Sequence, residues 1–187
     1  PEMVQKLFEL EVPEIADHVI EVKAIAREPG FRTKLAVISN DSRVDCVGAC
    51  VGIRGTRIKS ITDELNGEKI DIIRWSDNLP ELIVNALRPA VISNIDLDEH
   101  NKVAVVLVAD DQLSLAIGRK GQNVRLASRL SGFEIKIQSP TQAAVADIEP
   151  GSAEDLETRA ATQALLQGGA NPPVNHNDDS KGTADAG

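Results

Sequence analysis

The sequence predicts an α+β protein: two tandem copies of one small unit, ordered helix-strand-strand-helix-helix-strand, followed by a mostly disordered acidic tail. Three observations carry that reading. The segment VGIRGTRIKSITDELNGEKIDII returns as IGRKGQNVRLASRLSGFEIKI with one residue deleted, so Gly52 and Gly55 match Gly118 and Gly121, 66 residues later. Apolar spacing alternates between the twofold period of strands and the 3.6-residue period of helices, in the same order in both copies. After Pro140 the composition turns to Ala, Asp, Glu, Gly and Pro, with too little apolar surface to build a core.

Taken in order, residues 1–10 place Val4, Leu7 and Phe8 at helical spacing. They supply the leading helix of the first copy, or a linker helix from an upstream domain. Residues 20–26 and 34–39 are β-branched and alternating, split by the turn signal Pro29-Gly30, and read as a hairpin. A short apolar helix over 44–51 ends at Gly52. A second, over 56–65, sets Ile58, Ile61 and Leu65 on one face and stops at Asn66-Gly67. A strand over 69–75 closes the unit. The second copy repeats this with a helix at 80–87, strands at 91–97 and 103–108, helices at 112–117 and 123–130, and a strand at 134–138.

The expected domains are therefore 1–75 and 76–139. The segment joining them, 76–80, is too short for a flexible linker and implies fixed packing. Each copy is smaller than a comfortably stable single core, so the two must lean on each other. Trp75 reads as buried between the copies. The tail, 140–187, holds one candidate helix at 152–167, with Ser152 as N-cap and Gly168 as stop.

Several function classes fall away. No run of eighteen apolar residues occurs and the N-terminus lacks a signal-peptide layout, so a cytoplasmic protein without a membrane partner is expected. The chain opens at Pro1 rather than Met and reads as a segment of a longer protein. Cys46 and Cys50 share a helix face and read as reduced, core-facing thiols, while His18, His100 and His176 are scattered. No metal and no cofactor is expected. Nor is an enzyme: no P-loop, nucleophile motif or recognisable carboxylate pair is present.

The net charge of −9 looks hostile to nucleic acid, but residues 140–187 supply −6 of it, from eight acids and two bases. Within the remainder, residues 46–62 carry Arg54, Arg57 and Lys59 without an acid. Residues 112–133 carry Arg119, Lys120, Arg125 and Arg129 without one. Local stripes decide where phosphate docks.

A lone G-x-x-G is a weak signal. Here both copies precede it with an apolar helix, load it with basic residues and follow it with an amphipathic helix. That is the layout of the KH module, whose G-x-x-G loop clamps the backbone of about four nucleotides. Glycine lets the sugar-phosphate chain approach backbone N–H groups, and the next helix adds positive potential at its N-terminus. The candidate RNA-binding set is Gly52, Ile53, Arg54, Gly55, Arg57 and Lys59 in the first copy. In the second it is Gly118, Arg119, Lys120, Gly121, Asn123 and Arg125.

The strings VPEI, ACVGIRGTRI, ELNGEKIDIIRW, AIGRKGQNVRLAS and LSG resemble the tandem KH1–KH2 region of the NusA family from Pro1 to about Ser139. That resemblance implies type II KH folds side by side on a continuous RNA-binding surface, downstream of polymerase-binding and S1 domains that this chain lacks. It implies modulation of pausing, termination and antitermination, with single-stranded nascent RNA as partner and RNA polymerase and other transcription factors engaged through the full-length protein. The expected state is a monomer. The alternative is a protein-interaction scaffold with weak or no RNA contact.

Overall fold

The computed structural model describes residues 1–141; the candidate helix at 152–167 and the rest of the acidic tail lie outside the described residues. The first unit runs α1 (Glu2–Glu11), a single turn α2 (Pro13–Ala16), β1 (Ile20–Glu28), β2 (Arg32–Ser39), α3 (Cys46–Val51), α4 (Thr56–Glu64) and β3 (Lys69–Arg74). The second runs α5 (Leu79–Leu87), β4 (Ile92–Asp98), β5 (Val103–Val108), α6 (Leu113–Ile117), α7 (Gln122–Ser131) and β6 (Glu134–Gln138). Each unit holds one three-stranded sheet with its middle strand antiparallel to the first and parallel to the third. The register repeats too: Thr33 faces Ile70 across β2 and β3, and Ala104 faces Ile135 across β5 and β6.

The tandem α+β repeat is as expected, with element ends displaced by up to two residues. The displacements have local causes. The helix expected from residue 44 begins at Cys46 because Asp45 caps it, accepting from the Gly48 N–H at 3.1 Å. Asn78 caps α5 in the same way, accepting from the Glu81 N–H at 3.1 Å, with Pro80 in the first turn. The turn α2 is too short to declare a period in the sequence.

The first sheet is covered on both faces. Leu35, Val37 and Ile20 pack with Val4, Phe8, Cys46, Cys50 and Ile61 beneath α1, α3 and α4. On the opposite face Ala26, Ala36 and Ile73 join Leu82, Ile83, Leu87, Leu126 and Leu130 of the second unit. Short alanine side chains let α5 and α7 lie close against this sheet. Those helices rest in turn on Ala104, Val106, Val108 and Ile135 of the second sheet. The order of layers is helices, sheet, helices, sheet. Burial along the middle strands records it: β2 has five consecutive buried residues, Thr33 to Val37, whereas β5 alternates as a strand covered on one face does. Each large aliphatic group buried in the shared core contributes about 1.5 to 3 kcal/mol. Trp75 is half-buried against this core, its indole N–H donating to Asp77 at 3.0 Å.

One site is polar in the first unit and apolar in the second. Glu68, 1% exposed, accepts two bonds from Arg27 at 2.9 Å, one from the Thr33 hydroxyl at 2.6 Å and one from the Gly30 N–H at 2.9 Å. Burial pushes its carboxyl up, but these four donors outweigh it and hold the group at about 2. The equivalent residues, by register, are Phe133, Leu97 and Ala104, which belong to the shared core. Cys46 and Cys50 are buried and free, and burial pushes the Cys50 thiol up to about 12. Among the described residues, no helix is long and apolar enough to cross a membrane.

Candidate nucleic-acid interface

Both G-x-x-G segments adopt one backbone path. Gly52 and Gly118 end their helices at φ/ψ of 76°/171° and 74°/172°, their N–H groups donating to Gly48 and Ser114 at 2.9 Å. Arg54 and Lys120 then take left-handed values of 54°/24° and 53°/30°, and Gly55 and Gly121 follow at 77°/18° and 71°/14°. Only Gly makes such a path without strain at its first and last positions.

At Gly118 the reason is also steric. A Cβ there would lie 2.6 Å from the Cβ of Asn123 and 2.9 Å from its backbone N. At Gly121 it would meet nothing within 4 Å. The first position of the loop is closed by the helix that follows it, and the last opens to solvent.

Both loops leave a helix start bare. Gly55 and Gly121 are the N-caps of α4 and α7, and neither helix has a side-chain cap or an acid in its first turn. The Thr56 and Gln122 N–H groups donate to the Ile53 and Arg119 carbonyls within the loops, and the positive end of each helix dipole, uncapped by an acid, favours an anion. Ile53, Arg54, Arg119 and Lys120 all project into solvent, Ile53 at 84% exposure. No carboxylate among the described residues pairs with Arg54, Arg119 or Lys120.

The remaining expected contacts divide. Lys59 is exposed but pairs with Asp63 at 2.7 Å. Arg125 is exposed and pairs with Glu28 of β1, which also accepts from Gln122 at 2.8 Å. The Arg125 and Gln122 bonds hold the Glu28 carboxyl down at about 2. Arg57 and Asn123, placed in the RNA-binding set, already hold contacts within the fold. Arg57 donates to the Ala49 carbonyl at 2.7 Å and pairs with Glu14 at 2.9 Å. Asn123 is 3% exposed and gives its NH2 group to the carbonyls of Leu87, Leu115 and Ala116 at 3.1 to 3.3 Å. The Asn123 side chain is buried, whereas Arg57 is part-exposed.

The structure also brings together residues that sequence reasoning missed. A groove of about 510 Å³ runs between the hairpin turn of the first unit and the loop of the second, lined by Phe31, Arg32, Lys69, Arg119, Lys120 and Arg125 among others. A larger groove, about 800 Å³, lies along α1 and β1, but its one lysine, Lys6, is paired with Glu9 at 2.6 Å. The smaller groove has the charge that phosphate needs. The exposed aromatic residue directly after Pro29-Gly30 was the available signal for it.

Residues 1–75 match the NusA-like first KH domain, and residues 79–145 match the NusA-like second KH domain. The chain belongs to the NusA family. It is 47% identical over 173 residues to the transcription termination/antitermination protein NusA of Halalkalibacterium halodurans, covering 92% of this chain and 44% of that protein. The match to NusA of Rickettsia prowazekii is 51% over 144 residues, covering 75% and 29%. That to NusA of Bacillus subtilis is 47% over 155 residues, covering 83% and 42%. The chain thus spans less than half the length of these curated relatives. The first of these matches extends past residue 141, further than the sequence resemblance to about Ser139. The crystal structure of APE1850 is similar at 25% identity and a TM-score of 0.55, covering 73% of this chain and 96% of that one.

Proposed function

We propose that this chain is the RNA-gripping part of a transcription termination and antitermination factor, holding single-stranded nascent RNA with its two G-x-x-G loops. The observation that carries the reading is the duplicated loop: two helix starts with glycine N-caps, no side-chain cap, no acid in the first turn and unpaired cations at Arg54, Arg119 and Lys120. Each loop clamps a phosphate against backbone N–H groups, and the bases lie on the neighbouring sheet edge. The contact set is Gly52, Ile53, Arg54, Gly55 and Lys59 with Gly118, Arg119, Lys120, Gly121 and Arg125, divided between units of residues 1–75 and 76–139.

Working as a monomer in the cytoplasm within a longer protein, the pair holds emerging RNA beside RNA polymerase and so alters pausing, termination and antitermination. The test is fluorescence anisotropy of a labelled single-stranded RNA with the wild type and with a variant carrying Asp at Ile53, Arg54, Arg119 and Lys120. Circular dichroism should show both folded, because all four side chains are exposed. A loss of at least tenfold is expected, with log K falling against log salt by about 0.7 per phosphate neutralised. Unchanged affinity sinks the reading in favour of a protein scaffold.

A further inference from the structure

The two loops do not account for the groove between the units. Its first wall is the hairpin turn at Gly30 and Phe31, and Phe31 is 70% exposed. The chain has only three Phe and one Trp. Phe8 and Phe133 are buried and Trp75 is half-buried, so Phe31 is the one Phe or Trp ring open to solvent among the described residues. An exposed ring at a turn adds nothing to the core it leaves.

The opposite wall is the second G-x-x-G loop, with Arg119 and Lys120, and Lys69 at the start of β3 lies on the same groove. None of these three has a carboxylate partner among the described residues, whereas Arg32 is held by Asp71 at 2.8 and 2.9 Å and Arg125 by Glu28. The groove therefore offers one uncovered ring and three uncovered cations.

The combination is not a property of the repeat. At the equivalent turn of the second unit stands Lys102, whose N-ζ lies 4.9 Å from the Phe133 ring centre, and β6 begins with Glu134 where β3 has Lys69. Ring and cations meet only where the first unit's turn faces the second unit's loop. The Glu28 contacts with Gln122 and Arg125 pin that juxtaposition from the side.

We propose that this groove seats a nucleotide of the same RNA strand, between the segments held by the two loops, with its base stacked on Phe31 and its phosphate beside Lys69 and Lys120. The proposal rests on the RNA-binding reading of the loops. Stacking is sequence-tolerant, so Phe31 adds affinity for single strands without selecting a base.

The test uses the full chain and Phe31→Ala, titrated with single-stranded RNAs of about four nucleotides, enough for one loop, and about twelve, enough to cross the groove. Phe31→Ala should weaken the longer RNA roughly tenfold, as expected for the loss of about one stacked base, and leave the shorter one unchanged. Phe31→Trp should restore affinity, and its added emission over the wild type should be quenched by the longer RNA. Equal affinity of Phe31→Ala for the longer RNA, or equal weakening for both lengths, overturns the stacking role while leaving the loops intact. No binding of the longer RNA by the wild type overturns both readings.

Discussion

Arg57 and Asn123 stand at equivalent positions in the two repeats, and each donates to the carbonyl at the equivalent residue of the helix before it, Ala49 and Leu115. A guanidinium and a carboxamide perform one task. A short helix ends with unsatisfied carbonyls, and the next helix supplies a donor that ties it down across the loop.

This latch should matter more where it is buried. Asn123→Ala strands the buried Leu87 and Ala116 carbonyls and should cost about 2 to 3 kcal/mol, whereas Arg57→Ala frees the part-buried Ala49 carbonyl to water and should cost about 1. Urea denaturation of the two variants checks the order. A larger loss for Arg57→Ala would contradict it.

The glycines should also be unequal. Both Gly118 and Gly121 hold positive φ, so any L residue there costs about 1 to 2 kcal/mol. Gly118→Ala adds a collision with the Asn123 Cβ and backbone, while Gly121→Ala meets open space. Thermal unfolding should therefore place Gly118→Ala well below Gly121→Ala.

The buried Glu68 network can be converted to its apolar counterpart. Glu68→Phe alone leaves the mostly buried Arg27 without a partner and should cost about 3 kcal/mol. Combined with Arg27→Leu and Thr33→Ala, it reproduces the residues of the second unit, and stability should return to near or above that of the wild type. Chemical denaturation of single and triple variants decides.

Acid should loosen the join between the units. The Glu28 carboxyl in the folded protein sits at about 2, below its ordinary value of 4.5. Its contribution is therefore complete above about pH 4.5 and is lost as pH falls towards 2. Because Arg125 is half-exposed, that contribution is only about 1 kcal/mol. Glu28→Gln should lower stability by that amount at neutral pH and reduce the slope of stability against pH between 4.5 and 2. Glu68, which is held at about 2, retains the remaining slope.

The repeat made the fold legible, because one alignment gave the order of six elements twice and helical or alternating spacing gave their types. It also made the loops legible, since glycines at fixed spacing between two helices state a backbone path. What stayed hidden depends on partners distant in sequence. Nothing near Arg57 announces Glu14, and nothing near Asn123 announces the Leu87 carbonyl, so both polar side chains looked available when they were already engaged. Phe31 and Lys120 are far apart along the chain, and only the arrangement of the units sets them on one groove.

The alanine face of the first sheet has a consequence of its own. Ala26 and Ala36 set how deeply α7 can settle, and α7 begins at the second loop. The gauge between the two loops is thus written in methyl groups that touch neither. A bulkier residue at Ala36 would act as a shim, moving one loop relative to the other and, on the proposed function, changing the length of RNA that spans both without altering any atom of either loop.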